Sequence, residues 1–277
     1  MCDEDDPFAE LERNNLEFKR VIEQIPEETI VGLVGERGAG GASFLGEDWK
    51  LILSLVAWKK SSGELSQEEL RVEFPLPEES VSQYMSEIDP FAIVKIKARC
   101  AQHPNGFLQA VASEIISTNE SDSDLKQIVE ERQVPIIIED PQFGPLTLNR
   151  VLDRFSGSVL WDDVDISLEL SCDETGSIQE SLTVARKLWE QQSDWADQVK
   201  DFAVLELLER KNNGWLEEDQ PEVTAEAFKK RMVLESILIY SDGEFEFWHD
   251  DGDLFWGHAI QVSGNLTEGL TYVDTPG

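Results

Sequence analysis

Two groups of side chains in this 277-residue chain have the types and spacing for chemistry, and both lie near its end. His249, Asp250, Asp251 and Asp253 form the densest cluster of nitrogen and oxygen ligands, and His258 follows just after Phe255-Trp256. Carboxylates beside an imidazole suit a hydrated divalent ion, and a single buried imidazole suits a general base. A calcium loop, however, needs alternating ligands over about 12 residues and a closing bidentate Glu. Nothing acidic follows Asp253 until Glu268, so turn-forming acids at a hairpin tip account for the same cluster. His258, flanked by Trp256 and Ile260, reads as a core histidine. With no nucleophile, base and oxyanion donor grouped anywhere, no catalytic residue, metal ligand or cofactor site is assigned. Trp248, His249, Asp250, Asp251, Asp253, Phe255, Trp256 and His258 stand as candidate interaction or pocket residues.

These residues are positioned by the stretch from Leu234 to Val262, where Asp242-Gly243 and Asp251-Gly252 predict two-residue hairpin loops, because Asp and Gly tolerate positive φ. The second loop would pair His249 with Leu254, Phe247 with Trp256 and Phe245 with His258. The first would put Tyr240 beside Phe245 and Leu238 beside Phe247. On that register both imidazoles share one apolar face about four residues apart, roughly 13 Å, too far to share a metal or proton. Trp248 and Phe255 would pair on the opposite face, and Gly257 would let a neighbouring backbone approach its strand.

A second glycine-rich segment, Gly35-Glu36-Arg37-Gly38-Ala39-Gly40-Gly41-Ala42, has the glycine spacing of a phosphate-binding loop. That loop needs a Lys for the β and γ phosphates and a Ser or Thr for magnesium, and those places hold Gly41 and Ala42. A flexible glycine loop is expected instead.

Composition bounds what such sites could bind. There are 57 acidic and 23 basic residues, a formal charge of -34, spread as about -14 up to Val134 and -20 after it. A dispersed negative field repels phosphate backbones and anionic membranes, so nucleic acid and membrane are not expected as partners. A basic protein partner fits. The cysteines, Cys2, Cys100 and Cys172, are isolated and odd in number, which suggests neither a disulfide framework nor a zinc site and suits a cytoplasmic location. The acidic start, Met1-Cys2-Asp3-Glu4-Asp5-Asp6, is unlike a signal peptide, and no apolar run reaches the roughly 18 residues of a membrane span, so a soluble, unprocessed protein is expected.

The fold class expected is α+β in two domains, a small, mostly antiparallel β-rich domain over 1–133 and an α+β domain over 134–277. In the first, Asp6 caps a helix from Pro7 to near Pro26, with Phe8, Leu11, Phe18, Val21, Ile22 and Ile25 on one stripe. Strands follow at Thr29–Val34, Trp49–Trp58, Leu70–Phe74 and Phe91–Arg99, then helices at Gly106–Ile116 and Leu125–Gln133. In the second, Phe155, Gly157, Val159 and Trp161 alternate against Val164, Ile166, Leu168 and Leu170 across a tight turn at Asp162-Asp163. Ser177 and Glu180 form a capping box for a helix carrying Ile178, Leu182, Ala185, Leu188 and Trp189. A break at Ser193-Asp194 precedes a helix through Trp195, Val199, Phe202, Ala203 and Leu207, with a left-handed stop at Asn212-Asn213-Gly214. Thr224 caps a short helix to Arg231. The acidic run Glu217-Glu218-Asp219-Gln220-Pro221-Glu222 reads as a solvated loop or, with Asp162, Asp163 and Asp165, as a negative surface for Lys and Arg.

Phe143-Gly144-Pro145-Leu146-Thr147-Leu148, the Trp161 hairpin, Asn212-Asn213-Gly214-Trp215-Leu216 and, most specifically, Asp251-Gly252-Asp253-Leu254-Phe255-Trp256-Gly257-His258 together resemble the bacterial domain-of-unknown-function family twenty-two sixty-two. The resemblance spans about Pro141 to Gly264 and leaves the N-terminal half outside. It implies a bacterial source and a fold, and it transfers no catalytic residue.

The function expected from these readings is non-enzymatic binding of a basic protein, as an immunity-type inhibitor of a cationic toxin or nuclease would do by electrostatic steering. The alternative is a hydrolase-type enzyme with a pocket near His258 or the Asp250–Asp253 acids, assisted by a metal. Oligomeric state is not legible.

Overall fold

The computed structural model describes residues 7–43, 48–61, 63–217 and 220–277, with the side chains of 7–9 outside the description. The cap expected of Asp6, the packing of Phe8, and Cys2, Glu218 and Asp219 therefore lie outside the described residues. The chain has two compact units, Met1–Val134 and Pro135–Gly277. Among the described residues no helix is long and apolar enough to cross a membrane.

Unit 1 begins with helix α1 (Pro7–Ile22), of which Phe18 and Ile22 are buried while Leu11 and Val21 stay exposed. Strands β1 (Glu28–Ala42), β2 (Lys50–Lys60), β3 (Leu70–Pro75), β4 (Ile93–Gln102) and β5 (Leu108–Ser117) close into a barrel of order β1-β2-β3-β5-β4. Helix α2 (Glu78–Glu87) lies between β3 and β4, and α3 (Ser123–Gln133), capped by Asp122, ends the unit. This is the strand order of a five-stranded Greek-key barrel of the oligonucleotide/oligosaccharide-binding type.

Two expectations are overturned here, and one element was not foreseen. The glycine segment Gly35–Ala42 is no loop but the bent second half of β1, paired Ala39 with Leu53 through Ala42 with Lys50. Its register slips between Val34 and Ala39, around Gly38 at φ 68°, and a Cβ on Gly41 would come within 2.8 Å of Val81. Glycine here lets a strand bend tightly around a small barrel. The segment expected as a helix over Gly106–Ile116 is β5, pairing parallel to β3 and antiparallel to β4. Its alanines favour helix as residues, but Ala110 and Ala112 are buried small side chains on the strand that closes the barrel, and tertiary packing overrides propensity. The unforeseen element is α2, which places Val81 over the barrel core.

Unit 2 is a single eight-stranded sheet with helices packed on one face. Strands β6 (Ile137–Asp140), β7 (Gly144–Asn149), β8 (Arg154–Trp161) and β9 (Val164–Ser171) form a meander. The chain then passes through α4 (Gln179–Glu190), α5 (Gln192–Gly214) and α6 (Ala225–Arg231). It returns beside β9 as β10 (Val233–Ile239), parallel to it, and continues antiparallel through β11 (Glu244–Asp250), β12 (Ile260–Asn265) and β13 (Gly269–Asp274). One core joins Ile178, Leu182, Ala185 and Leu188 of α4 and Trp195, Val199, Ala203 and Leu207 of α5 to the inward residues of β8–β12.

The β8–β9 hairpin has the anticipated register, Trp161 with Val164 through Phe155 with Leu170. The helices differ from expectation at their ends. Ser177 accepts the Gln179 N–H at 3.2 Å, but α4 starts after Ile178 without a side-chain cap, so no capping box forms. Gly214 is helical, not left-handed; instead the Asn212 amide clamps Val223, accepting its N–H at 2.8 Å and donating to its carbonyl at 3.0 Å. Thr224 does cap α6 through the Ala227 N–H.

Both terminal hairpins shift register. The first loop has three residues, Ser241-Asp242-Gly243, with Gly243 at φ 96° and Tyr240 paired to Glu244. Ile237 and Ile239 therefore face the helices beside Phe247 and Phe245, in place of Leu238 and Tyr240. The second connection is the long loop Asp251–Ala259, and His249 pairs with Ile260, Phe247 with Val262 and Phe245 with Gly264. The Phe-Trp-Gly-His run is loop, not strand, and β13 adds a strand beyond the expected meander.

Candidate functional site

The Asp251–Ala259 loop is built on one carboxylate. Asp251 is buried and accepts the N–H groups of Asp253 at 3.1 Å, Phe255 at 2.5 Å and Gly257 at 3.3 Å. Those alternate donors are the kind that a strand ladder would otherwise satisfy, so this side chain substitutes for the missing hairpin. Leu254 and Phe255 then enter the core, fully buried, with Phe255 edge-on to Trp215 and Phe228. The backbone is held in the left-handed region at Asp253 (φ 63°) and Trp256 (φ 59°), a conformation that costs non-glycine residues energy and concentrates at ligand sites. Gly252 permits the close approach of α6, since a Cβ there would meet the Arg231 carbonyl at 2.7 Å. Gly257 has open space around it, so its positive φ of 84°, and not a neighbouring backbone, explains the glycine.

The structure distributes the candidate residues among three environments. Asp251 and Phe255 are internal; Asp250, exposed, accepts the Gly252 N–H at 2.8 Å as an Asx turn. His249 is in the core, where burial, with Lys200 adding, pushes its pKa down to about 4, and its Nδ1 has no partner among the described residues. His258 sits in the loop, edge-on to Trp215 at 5.3 Å, with Nδ1 against the Thr275 carbonyl at 3.3 Å. The strand pairing expected to separate the two imidazoles does not form, yet they have different neighbours. Among the described residues no three His, Cys, Asp or Glu side chains are placed to hold a metal. Trp248 lies half-buried on the sheet's other face, opposite Ser236 and Gln261 and not Phe255, donating Nε1–H to Glu246 at 2.8 Å.

Asp253 and Trp256 line an open cleft of about 820 Å³ with Glu217, Gln220, Arg231 and Gly252. Trp256 is 59% exposed and packs on Trp215 at 4.8 Å. Lys211, 2% exposed, donates to the carbonyl of that same Trp215 at 2.6 Å. Burial holds its ammonium below the usual lysine range, with Arg231 adding and Asp251 and Glu217 opposing. Sequence reading did not assign Lys211, Trp215 or Arg231 to a site; Trp215 stood only within the Asn-Gly-Trp motif, and the two cations were basic residues in the last turn of a helix, which complement the helix dipole anyway.

A separate acidic edge forms at the other end of α5. Ser193 donates to Asp162 at 3.1 Å and Trp189 to the Leu160 carbonyl at 3.0 Å, tying the β8–β9 tip to the α4–α5 junction. Exposed Asp162, Asp163, Asp165, Glu190, Asp194 and Asp197 gather there. The acidic segment at Glu217 follows Gly214, about 33 Å away along the helix axis at 1.5 Å per residue. The single negative surface expected to combine the two segments is therefore two.

Residues 140–274 match DUF2262, an uncharacterized protein conserved in bacteria. The match thus extends through β13, ten residues beyond the expected limit of Gly264. The N-terminal half, which sequence reading left unrecognised, matches DUF7021, a domain of unknown function, over residues 15–132. No curated protein matches the chain. Two crystal forms of the mitochondrial single-stranded DNA binding protein Rim1 from S. cerevisiae are similar at 15% and 18% identity. They cover 35% of this chain and 99% and 100% of their own, each with a TM-score of 0.26, a likeness too low to carry an argument.

Proposed function

We propose that this protein binds a basic protein partner through the acidic edge of its DUF2262 module, without catalysis, in the manner of an inhibitor of a cationic toxin or nuclease. The observation that carries this reading is the concentration of Asp162, Asp163, Asp165, Glu190, Asp194 and Asp197 on one exposed edge, which would steer a cationic surface into contact. The contrast with the barrel supports it. There, Lys50, Lys59, Lys60, Arg71, Lys95, Lys97 and Arg99 all pair with acids of the same unit, so these charges are spent on one another.

The test is co-purification of the full chain with the basic products of adjacent genes, at low and high salt. A complex that weakens at least about tenfold with salt, and again on neutralising Asp162, Asp163, Asp165, Asp194 and Asp197 to Asn, is expected. Absence of any complex at low salt refutes the reading. A cytoplasmic site of action goes with it.

A second reading, a hydrolase-type enzyme using His258 or the Asp250–Asp253 acids, draws support from the position of the cleft beside Asp253. It requires loss of turnover in His258→Ala with folding retained.

A further inference from the structure

Arg231 and Asp253 line the same cleft, yet neither side chain makes an ion pair or hydrogen bond among the described residues. Acids outnumber bases by more than two to one in this chain, and the guanidiniums of Arg71, Arg99, Arg132, Arg154 and Arg186 are all paired. The backbone at Arg231 is pressed against Gly252, which places this residue beside the turn that carries Asp253. The backbone that carries the carboxylate is held as well, because the N–H of Asp253 is bound by buried Asp251 and its φ is 63°. Opposite charges held in one cleft without closing on each other leave room for a molecule carrying both complements.

We propose that this cleft binds a zwitterionic ligand of the α-amino-acid class, either a free amino acid or a short peptide end. Arg231 takes the carboxylate in a forked pair of hydrogen bonds. Asp253, with Glu217 on the same wall, takes the ammonium. The 59%-exposed face of Trp256 covers the side chain, and its ring is braced by Trp215 at 4.8 Å. Both signs in the lining argue against a simple anion, which would meet Asp253 and Glu217, and against a simple cation, which would meet Arg231. The site is independent of the acidic edge at the far end of α5.

The experiment is tryptophan fluorescence and calorimetric titration of the full chain with a panel of free L-amino acids, with acetate and methylamine as single-charge controls. Saturable binding of at least one zwitterion, with neither control competing at the same concentration, is expected. Arg231→Gln and Asp253→Asn should each weaken it at least about tenfold, the scale of one charged hydrogen-bonded contact. Both side chains are exposed, so the variants should fold, and unchanged circular dichroism checks this. Failure of every amino acid and of glycylglycine to bind overturns the proposal, as does undiminished binding by the folded Arg231→Gln protein. Neither result touches salt-sensitive capture of a basic protein, which is read at the other edge.

Discussion

Two aspartate turns in the C-terminal unit look alike in sequence and do opposite things. At Asp162-Asp163 both residues take left-handed φ (47° and 65°), Trp161 pairs directly with Val164, and both carboxylates are exposed. At Asp251-Gly252 the chain makes no hairpin; the carboxylate turns inward, binds three alternate N–H groups and holds open a loop through Ala259. Backbone pairing, with one exposed hydrogen bond from Ser193 to Asp162, sets the first turn, whereas one buried side chain sets the second. An exposed acid at a tip is available to a partner in solution; a buried acid spent on backbone builds a wall, here the wall of the cleft.

The sharpest way to break that comparison is Asp251→Ala. Three donors lose a charged acceptor in a buried setting, so a loss on the order of 4 kcal/mol is expected, with the register of β12 at risk. Urea unfolding followed by tryptophan fluorescence measures it, since six of the eight tryptophans lie in this unit. Asp162→Ala should change stability by only about 0.5 kcal/mol. Equal effects at the two positions would mean that the Asp251 carboxylate does not organise its loop.

His249, on the strand leading into that loop, supplies a pH test. Its pKa is lowered from 6.5 to about 4 in the folded protein, so between those values the unfolded chain binds more protons. The stabilising contribution is therefore complete above pH 6.5 and is lost as pH falls toward 4. A shift of this size corresponds to roughly 3 kcal/mol, smaller than the Asp251 effect. His249→Phe should flatten that segment of the stability profile relative to the parent, and a profile unchanged by the substitution would place the imidazole outside the core.

The same contrast explains what was legible in the sequence. The Trp161 hairpin could be read residue by residue, because alternating apolar positions and a two-residue turn are local signals. The two-layer α+β character and the apolar faces of α4 and α5 were legible for the same reason. Gly35–Ala42 and Leu108–Ser117 were misread because barrel closure, a contact between distant strands, outweighs local propensity. The loop at Asp251 was misread because nothing local distinguishes an Asp-Gly whose carboxylate faces water from one that faces inward. Of the eight candidate residues, Asp253 and Trp256 line the cleft, Asp251 and Phe255 build its loop from inside, and Trp248 lies on the sheet's opposite face. Arg231, which gives the cleft its positive charge, comes from α6 and looked like an ordinary helix-end cation.

The smallest expected effect concerns the turn that the backbone governs. Replacing Asp162-Asp163 by Asn-Gly supplies residues better suited to two successive left-handed positions, so stability should rise by about 0.5 kcal/mol even as two acids leave the edge. The substitution thereby separates the turn's folding role from its charge. If the acidic edge steers a basic partner, the stabilised variant should associate more slowly and dissociate at nearly the parent rate, because rim charges act mainly on encounter. A change confined to the dissociation rate would instead put these carboxylates inside the contact, with Ser193 and the start of α5 as the partner's footing.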